Sequence, residues 1–242
     1  MKCLITLLIF VNMTTAEILT ANYNISYGIF GSFGHAKAVL KQDGQSYEIS
    51  MEAMTDEIAK TLSGNRREIF KSRGFIENGV FVPNIYTHDV FRKKKGKIRH
   101  EIKVYEFNHT AREILYQKRK YDDDLMLSKN SEILKYYTKN DLLSLFFNFK
   151  NLAPNKPKFK LTAAGANEKD GQIDVIKPQN KILTELSKEL GSGEIFIAFI
   201  NQKIFSSERG ELHLLLNEQG IAKKAILRDV LLFGDIRAEI AE

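Results

Sequence analysis

The chain has 242 residues, a formal net charge of +6, one cysteine and no tryptophan. That length supplies a sizeable core without cross-links, and a lone cysteine excludes a disulfide framework. The charge is mixed in sign and favours anionic surfaces only weakly.

The chain opens MKCLITLLIFVNMTTAEILT. Lys2 forms a short basic start, Cys3 to Met13 is an apolar run too short to span a bilayer, and Thr14-Thr15-Ala16 is a small-residue cleavage site. Residues 1–16 therefore read as a signal peptide cut after Ala16, which carries Cys3 away with it. A cysteine-free mature chain fits a bacterial periplasm better than an oxidising animal exterior. Export also removes nucleic acid as a partner. No later stretch is apolar for 18 residues, so no transmembrane span is expected in residues 17–242.

Tyr23, Ile25, Tyr27 and Ile29 alternate with polar residues, the period of a half-buried strand. A turn at Gly31–Gly34 leads to a second strand through Ala36, Ala38 and Leu40, and Asp43-Gly44 signals a hairpin. The third strand has Tyr47, Ile49, Met51 and Ala53 on one face. A short helix is expected at 55–62, capped by Thr55 or Asp56. Extended segments follow at 66–76, 80–92, 97–107 and 111–121, with Asn78-Gly79 joining the first two. Pro83 makes the second of these an edge or a bulged strand. Residues 122–139 read as polar and irregular.

NDLLSLFFNF then reads as a helix, with Leu142, Leu145, Phe146 and Phe149 on one face and Asn140 or Asp141 as its cap. It must pack against something, most simply the concave face of the sheet. Pro154 and Pro157 are the nearest thing to a linker, and any subdomain junction falls at 153–158. Strands are expected near 158–163 and 171–176. A helix at 179–190 follows, with Ile182, Leu186 and Leu190 on one side and Gly191 ending it. Extended runs at 194–205, 211–217, 223–233 and 236–240 close the chain. IFIAFI at 195–200 is apolar on both faces and should lie centrally in a sheet.

These elements make a mainly β, β-rich α+β protein. Its sheet is a curved antiparallel meander, a half-barrel or sandwich, with two or three helices on the concave face. Residues 17–242 form one domain.

Several segments together carry a resemblance: YNISYGIFGSFG with its glycine turn, KSRGFIENGVFVPNIY, the aromatic-ended strand VYEFNH, the helix opening NDLLSLFF, and the closing LLNEQGIAKKAILRDVLLFGDIRAEI. Their order and spacing resemble the bacterial exported family known as domain of unknown function 3108, in the manner of its Helicobacter and Campylobacter members. Ala222 and Ala238 depart from the family pattern in the last hairpin. The resemblance implies a periplasmic or outer-envelope β-rich domain without enzymatic activity. It carries no catalytic residues to transfer.

The residues themselves point to no catalytic, cofactor or metal site. His35, His88, His100, His109 and His213 lack zinc-ligand spacing. His100 shares a face with Ile98, Ile102 and Val104, as a core-edge histidine would. Asp122-Asp123-Asp124 lacks the glycine and distal glutamate of a calcium loop, so it reads as solvated loop charge. The glycines at 28, 31 and 34 precede a strand rather than a helix, unlike a dinucleotide fingerprint. Glu106-Phe107-Asn108-His109-Thr110 matches an extended bacterial glycosylation sequon at Asn108.

Two surface features remain. Tyr23, Tyr27, Tyr47, Phe81 and Tyr86 could line an apolar groove of the kind that shields lipid tails. The plainer reading, favoured here, is that they are core and that helix 141–149 fills the groove. FRKKKGKIRHEIK, residues 91–103, places Lys95-Gly96 between two strands. Arg92, Lys93, Lys94, Lys95 and Lys97 are then a basic hairpin tip, and Lys97, Arg99, Glu101 and Lys103 the outer face of its second strand. The expected function is non-enzymatic binding or scaffolding of an envelope protein, lipid or glycan. The alternatives are a carrier of lipid or another apolar ligand in the groove, and an accessory factor of an envelope machine such as a flagellar motor or secretion complex.

Overall fold

The computed structural model describes residues 16–28, 31–56, 63–167, 169–200, 210–230 and 234–241. The expected signal peptide up to Thr15, Ile29, most of the 55–62 segment and parts of the 194–205 and 223–233 runs fall outside these residues.

Alternating sequence produces long strands. The described residues form one open, wholly antiparallel sheet of fourteen strands. The first eight are a meander: β1 (Glu17–Tyr27), β2 (Ser32–Asp43), β3 (Ser46–Thr55), β4 (Arg67–Glu77), β5 (Val80–Lys94), β6 (Lys97–Asn108), β7 (Glu113–Asp122) and β8 (Leu125–Ile133). Helix α1 (Leu142–Leu152) follows, then β9 (Lys158–Thr162), β10 (Gln172–Ile176), helix α2 (Asn180–Leu190), β11 (Glu194–Phe199), β12 (Glu211–Leu216), β13 (Ala222–Leu227) and β14 (Ile236–Ile240). β14 pairs with β1, so the second meander continues the first, and β8 and β9 are the two edges.

Turn chemistry sets the register. Asn78 and Gly79 both have positive φ (53° and 76°), as do Lys95 and Gly96 (51° and 81°), the geometry of two-residue hairpin turns. β5 is interior, so Pro83 is tolerated by the other expected route. The β4–β5 register shifts between Arg73 and Gly74, with Gly74 opposite Pro83. A Cβ on Gly74 would lie 1.9 Å from the Val82 carbonyl oxygen, so only glycine fits.

One face of the sheet is the inner face, defined by the contact with α1. Leu40, Ile49, Tyr86, Tyr105 and Phe107 of the first meander share a buried cluster with Leu142, Leu145 and Phe149 of α1. Val175, Phe196, Leu214 and Leu216 of the second meander belong to the same cluster. The prolines at 154 and 157 thus interrupt the chain but not the core. α2 packs on the opposite face, where Leu186 and Leu190 meet Ile195, Ile197, Leu215 and Ile226. β11 is therefore apolar on both faces because a helix covers each. α2 departs from the expectation of helices on the concave face alone. Its apolar stripe is also shorter than the spacing suggests, since Ile182 is 55% exposed.

β8 was not expected from the sequence. All nine of its residues are exposed, so no alternation of burial marks it, and it exists by pairing with β7 alone.

α1 is held by side chains that copy backbone pairing. Asn148 is fully buried; its Nδ2 donates to the Phe81 carbonyl at 2.8 Å, and its Oδ1 accepts from the Phe81 amide at 2.8 Å. Removing that amide strands two buried backbone groups at ~1–3 kcal/mol each. Asn148→Ala is expected to lower unfolding free energy by roughly 2–4 kcal/mol in urea denaturation. A loss below about 0.5 kcal/mol would contradict this role.

Candidate functional site: the inner face

The inner face divides into an apolar half under α1 and a charged half beyond it. In the first half, Tyr47, Phe81 and Tyr86, three of the five expected groove residues, come together and are buried by α1. Tyr23 is half-buried, and Tyr27 packs in a separate cluster with Leu227 and Val230, its hydroxyl donating to the Val230 carbonyl at 2.8 Å. The groove is thus filled core where its rings meet.

A buried polar chain crosses this core. Asp141 caps α1, its Oδ1 accepting from the Ser144 amide at 2.7 Å while Ser144 Oγ accepts from the Asp141 amide at 3.1 Å, a reciprocal capping box. Ser72 Oγ lies 2.5 Å from Asp141 Oδ2, and Tyr47 Oη lies 2.8 Å from Ser72 Oγ. Burial pushes the Asp141 carboxyl up to about 6, against the hydrogen bonds from Ser72 and Ser144 that favour its charged form. When Asp141 is protonated it donates to Ser72, whose hydroxyl can turn to Tyr47. Through Ser72 and Tyr47 the group positions the start of α1 against β3 and β4.

The charged half corrects the sequence reading. Lys97, Arg99, Glu101 and Lys103 do not face outwards. They have the parity of Tyr105 and Phe107 on β6 and so continue the inner face toward the β5–β6 tip. The opposite face, with Ile98, His100, Ile102 and Val104, is the outer one. Cross-strand pairing arranges the inner face in rows. Tyr86, Tyr105 and Tyr116 form a stacked row, with ring centroids 5.5 and 4.8 Å apart. The next row is His88, Lys103 and Lys118, then Val90, Glu101 and Lys120, then Arg92, Arg99 and Asp122. Glu101 lies 3.4 to 3.8 Å from the amines of Lys103, Lys118 and Lys120. Asp122 lies 3.7 Å from Lys97 and 3.8 Å from Arg99.

Glu68, on the same face of β4, forms a buried pair with His88 at 2.7 Å and bonds Arg66. Burial alone would raise its carboxyl, but the His88 hydrogen bond and Arg66 bring it down to about 2. Arg92 is held below its ordinary value by partial burial and by the nearby Arg66.

The other expected residues are placed as follows. Arg92, Lys93 and Lys94 at the end of β5, Lys95 in the two-residue turn and Lys97 at the start of β6 are all exposed. His100 is half-buried on the outer face, bonded to Asp89 at 2.8 Å and stacked between Phe91 and Tyr121. Asp123 is the β7–β8 turn residue with φ of 51°, and its Oδ1 accepts from the Ile98 amide. Asn108 is exposed at the end of β6, and its Oδ1 accepts from the Ala111 amide at 3.0 Å. Among the described residues no three His, Cys, Asp or Glu side chains gather as metal ligands do, and no helix is long and apolar enough to cross a membrane. Beside α1, Leu145, Phe146, Phe149, Ile173, Ile200 and Leu214 line part of a small apolar crevice of about 10 Å³.

No protein-family model matches the chain, and no curated protein matches it. Among solved structures it is similar to a β-barrel-like protein of domain of unknown function DUF1849 from Brucella abortus. The two share 8% identity over 92% of this chain and 95% of that one, with a TM-score of 0.37.

Two measurements check this site. The folded-state pKa of Asp141, about 6, lies above its ordinary value of 3.8. The folded state therefore holds the proton more tightly, and stability from this group is full below pH 3.8 and lost as pH rises through about 6. Between those limits the wild type is expected to lose roughly 3 kcal/mol relative to Asp141→Asn in urea denaturation. Parallel profiles would refute the assignment. Glu68 acts in the opposite sense, lending stability that is lost as pH falls from 4.5 toward about 2, so the two windows barely overlap. At the tip, the triple change Lys93→Gln, Lys94→Gln, Lys95→Gln is expected to leave unfolding free energy within about 1 kcal/mol, because exposed side chains contribute little. A large drop in Tm would contradict the exposed tip.

Proposed function

We propose that this protein is an exported, non-enzymatic envelope protein that binds or scaffolds a component of the periplasm, as the resemblance to domain of unknown function 3108 suggests. The filled apolar half of the inner face carries this reading over that of a lipid carrier. A carrier needs an apolar hollow, and here α1 occupies the place where Tyr47, Phe81 and Tyr86 meet. The crevice beside α1, about 10 Å³, has room for roughly one water molecule and is far below the ~300–1,000 Å³ of ordinary ligand pockets. Its lining residues belong to the core that holds α1 in place. Among the described residues, what the protein offers a partner is polar surface: the charged half of the inner face and the basic tip. β1 begins at Glu17, next to the expected cleavage site, which accords with a domain that starts after the signal peptide. An accessory role at an envelope machine is compatible with the same surfaces.

Native mass spectrometry of protein purified from the periplasm tests this. The expected spectrum has the mass of a chain starting at Glu17, with no co-purified lipid. A stoichiometric acyl-chain adduct would overturn the choice in favour of a carrier, and retention of residues 1–16 in the cytoplasm would overturn export.

A further inference from the structure

The charged half of the inner face breaks a rule of sheet construction. Like charges directly opposite one another destabilise antiparallel pairs. On this single face, Lys94 is opposite Lys97, Arg92 is opposite Arg99, and Lys103 is opposite Lys118. Elsewhere the same sheet pairs opposite charges across neighbouring strands: Arg67 with Glu52, Arg73 with Glu48, Lys224 with Glu239. Three of the like-charge pairs thus gather on one surface three strands wide, whereas Arg119 opposite Lys129 stands alone on the outer face of β7 and the exposed edge strand β8. On the three-strand surface Glu101 serves several lysines, and Asp122 serves Lys97 and Arg99.

Part of this surface is sheltered from water. The Lys118 side chain is 24% exposed and that of Glu101 30%, while Arg99 and Lys120 remain about half open, at 51% and 49%. Partial burial makes surplus charge costlier and a bound counter-charge more favourable than on an open surface. The row of stacked tyrosines forms the floor between the cations and the α1 core.

We propose that the inner face of β5, β6 and β7 is a binding site for a multivalent phosphate-type anion, with Arg99, Lys118 and Lys120 as its contacts and Glu101 holding the two lysines in place. A guanidinium and two amines suit paired phosphoryl groups, the first by a planar fork and the others as mobile point charges. This deepens the binding reading given above by naming the ligand's chemistry. The source is either a free phosphate compound or the headgroup of an anionic lipid.

The test titrates the full mature protein with inorganic pyrophosphate by calorimetry. In parallel it floats the protein with vesicles of phosphatidylglycerol and of phosphatidylcholine. Saturable pyrophosphate binding is expected if the source is free, and selective flotation with phosphatidylglycerol if it is a headgroup. Either response should weaken about tenfold in an Arg99→Gln, Lys120→Gln variant whose circular dichroism is unchanged, as expected for loss of charge-assisted hydrogen bonds. A Lys156→Gln, Lys158→Gln control near the opposite edge should bind like the wild type. Absence of both responses overturns the site, as does an equal loss in the control, which would mark diffuse surface attraction. A lipid-free native mass spectrum with no anion response would sink this site alone and leave the scaffolding reading standing.

Discussion

A sheet of fourteen strands with two open edges has an apolar inner face that must be covered, and α1 is what covers it. The contact is made by dispersion and burial, through Leu142, Leu145 and Phe149 against Tyr47, Tyr86 and Phe196. Its direction is set by two fully buried polar residues. Asn148 satisfies both backbone groups of Phe81, and Asp141 joins the helix N-terminus to Ser72 on β4. Buried polar groups are costly unless every bond is made, which is why they specify one seating of the helix rather than a sliding one. The Asp141 cap shows the tension in its raised pKa: the helix start requires an acceptor where the core disfavours charge.

Because α1 covers only part of the inner face, the same strands serve two environments. β6 contributes Tyr105 and Phe107 to the core and, on the same side, Arg99, Glu101 and Lys103 to the charged half. β4 and β5 change in the same way, from Ser72 and Tyr86 beside α1 to Glu68 and Arg92 beyond it. The boundary is the row of stacked tyrosines, with the apolar core on one side and the row of His88, Lys103 and Lys118 on the other. On the outer face α2 does for β11–β13 what α1 does within, fastened by the Arg228 and Arg237 guanidiniums to Glu189 on α2 and Asp235 near β14.

The chain order of the other strands, the turns at Asn78-Gly79 and Lys95-Gly96, a cap at Asn140 or Asp141 and the double-sided apolarity of β11 were legible in the residues, because each depends on neighbours a few positions away. β8 was not legible: Leu125–Ile133 has no buried face, so nothing in its pattern separates it from a loop. The groove residues were only half legible. Tyr47, Phe81 and Tyr86 meet, but Tyr27 joins Val230, which lies 203 positions further along the chain.

The charged strand gives the sharpest division. Its period of two determined that Lys97, Arg99, Glu101 and Lys103 share one face and Ile98, His100, Ile102 and Val104 the other. Which face is inner is a property of the sheet, decided by the side on which α1 packs. A strand longer than the helix footprint runs past its own core. Beyond that point apolar residues no longer mark the inside, and only the tertiary structure could show that the cations lie within the curve rather than on its back.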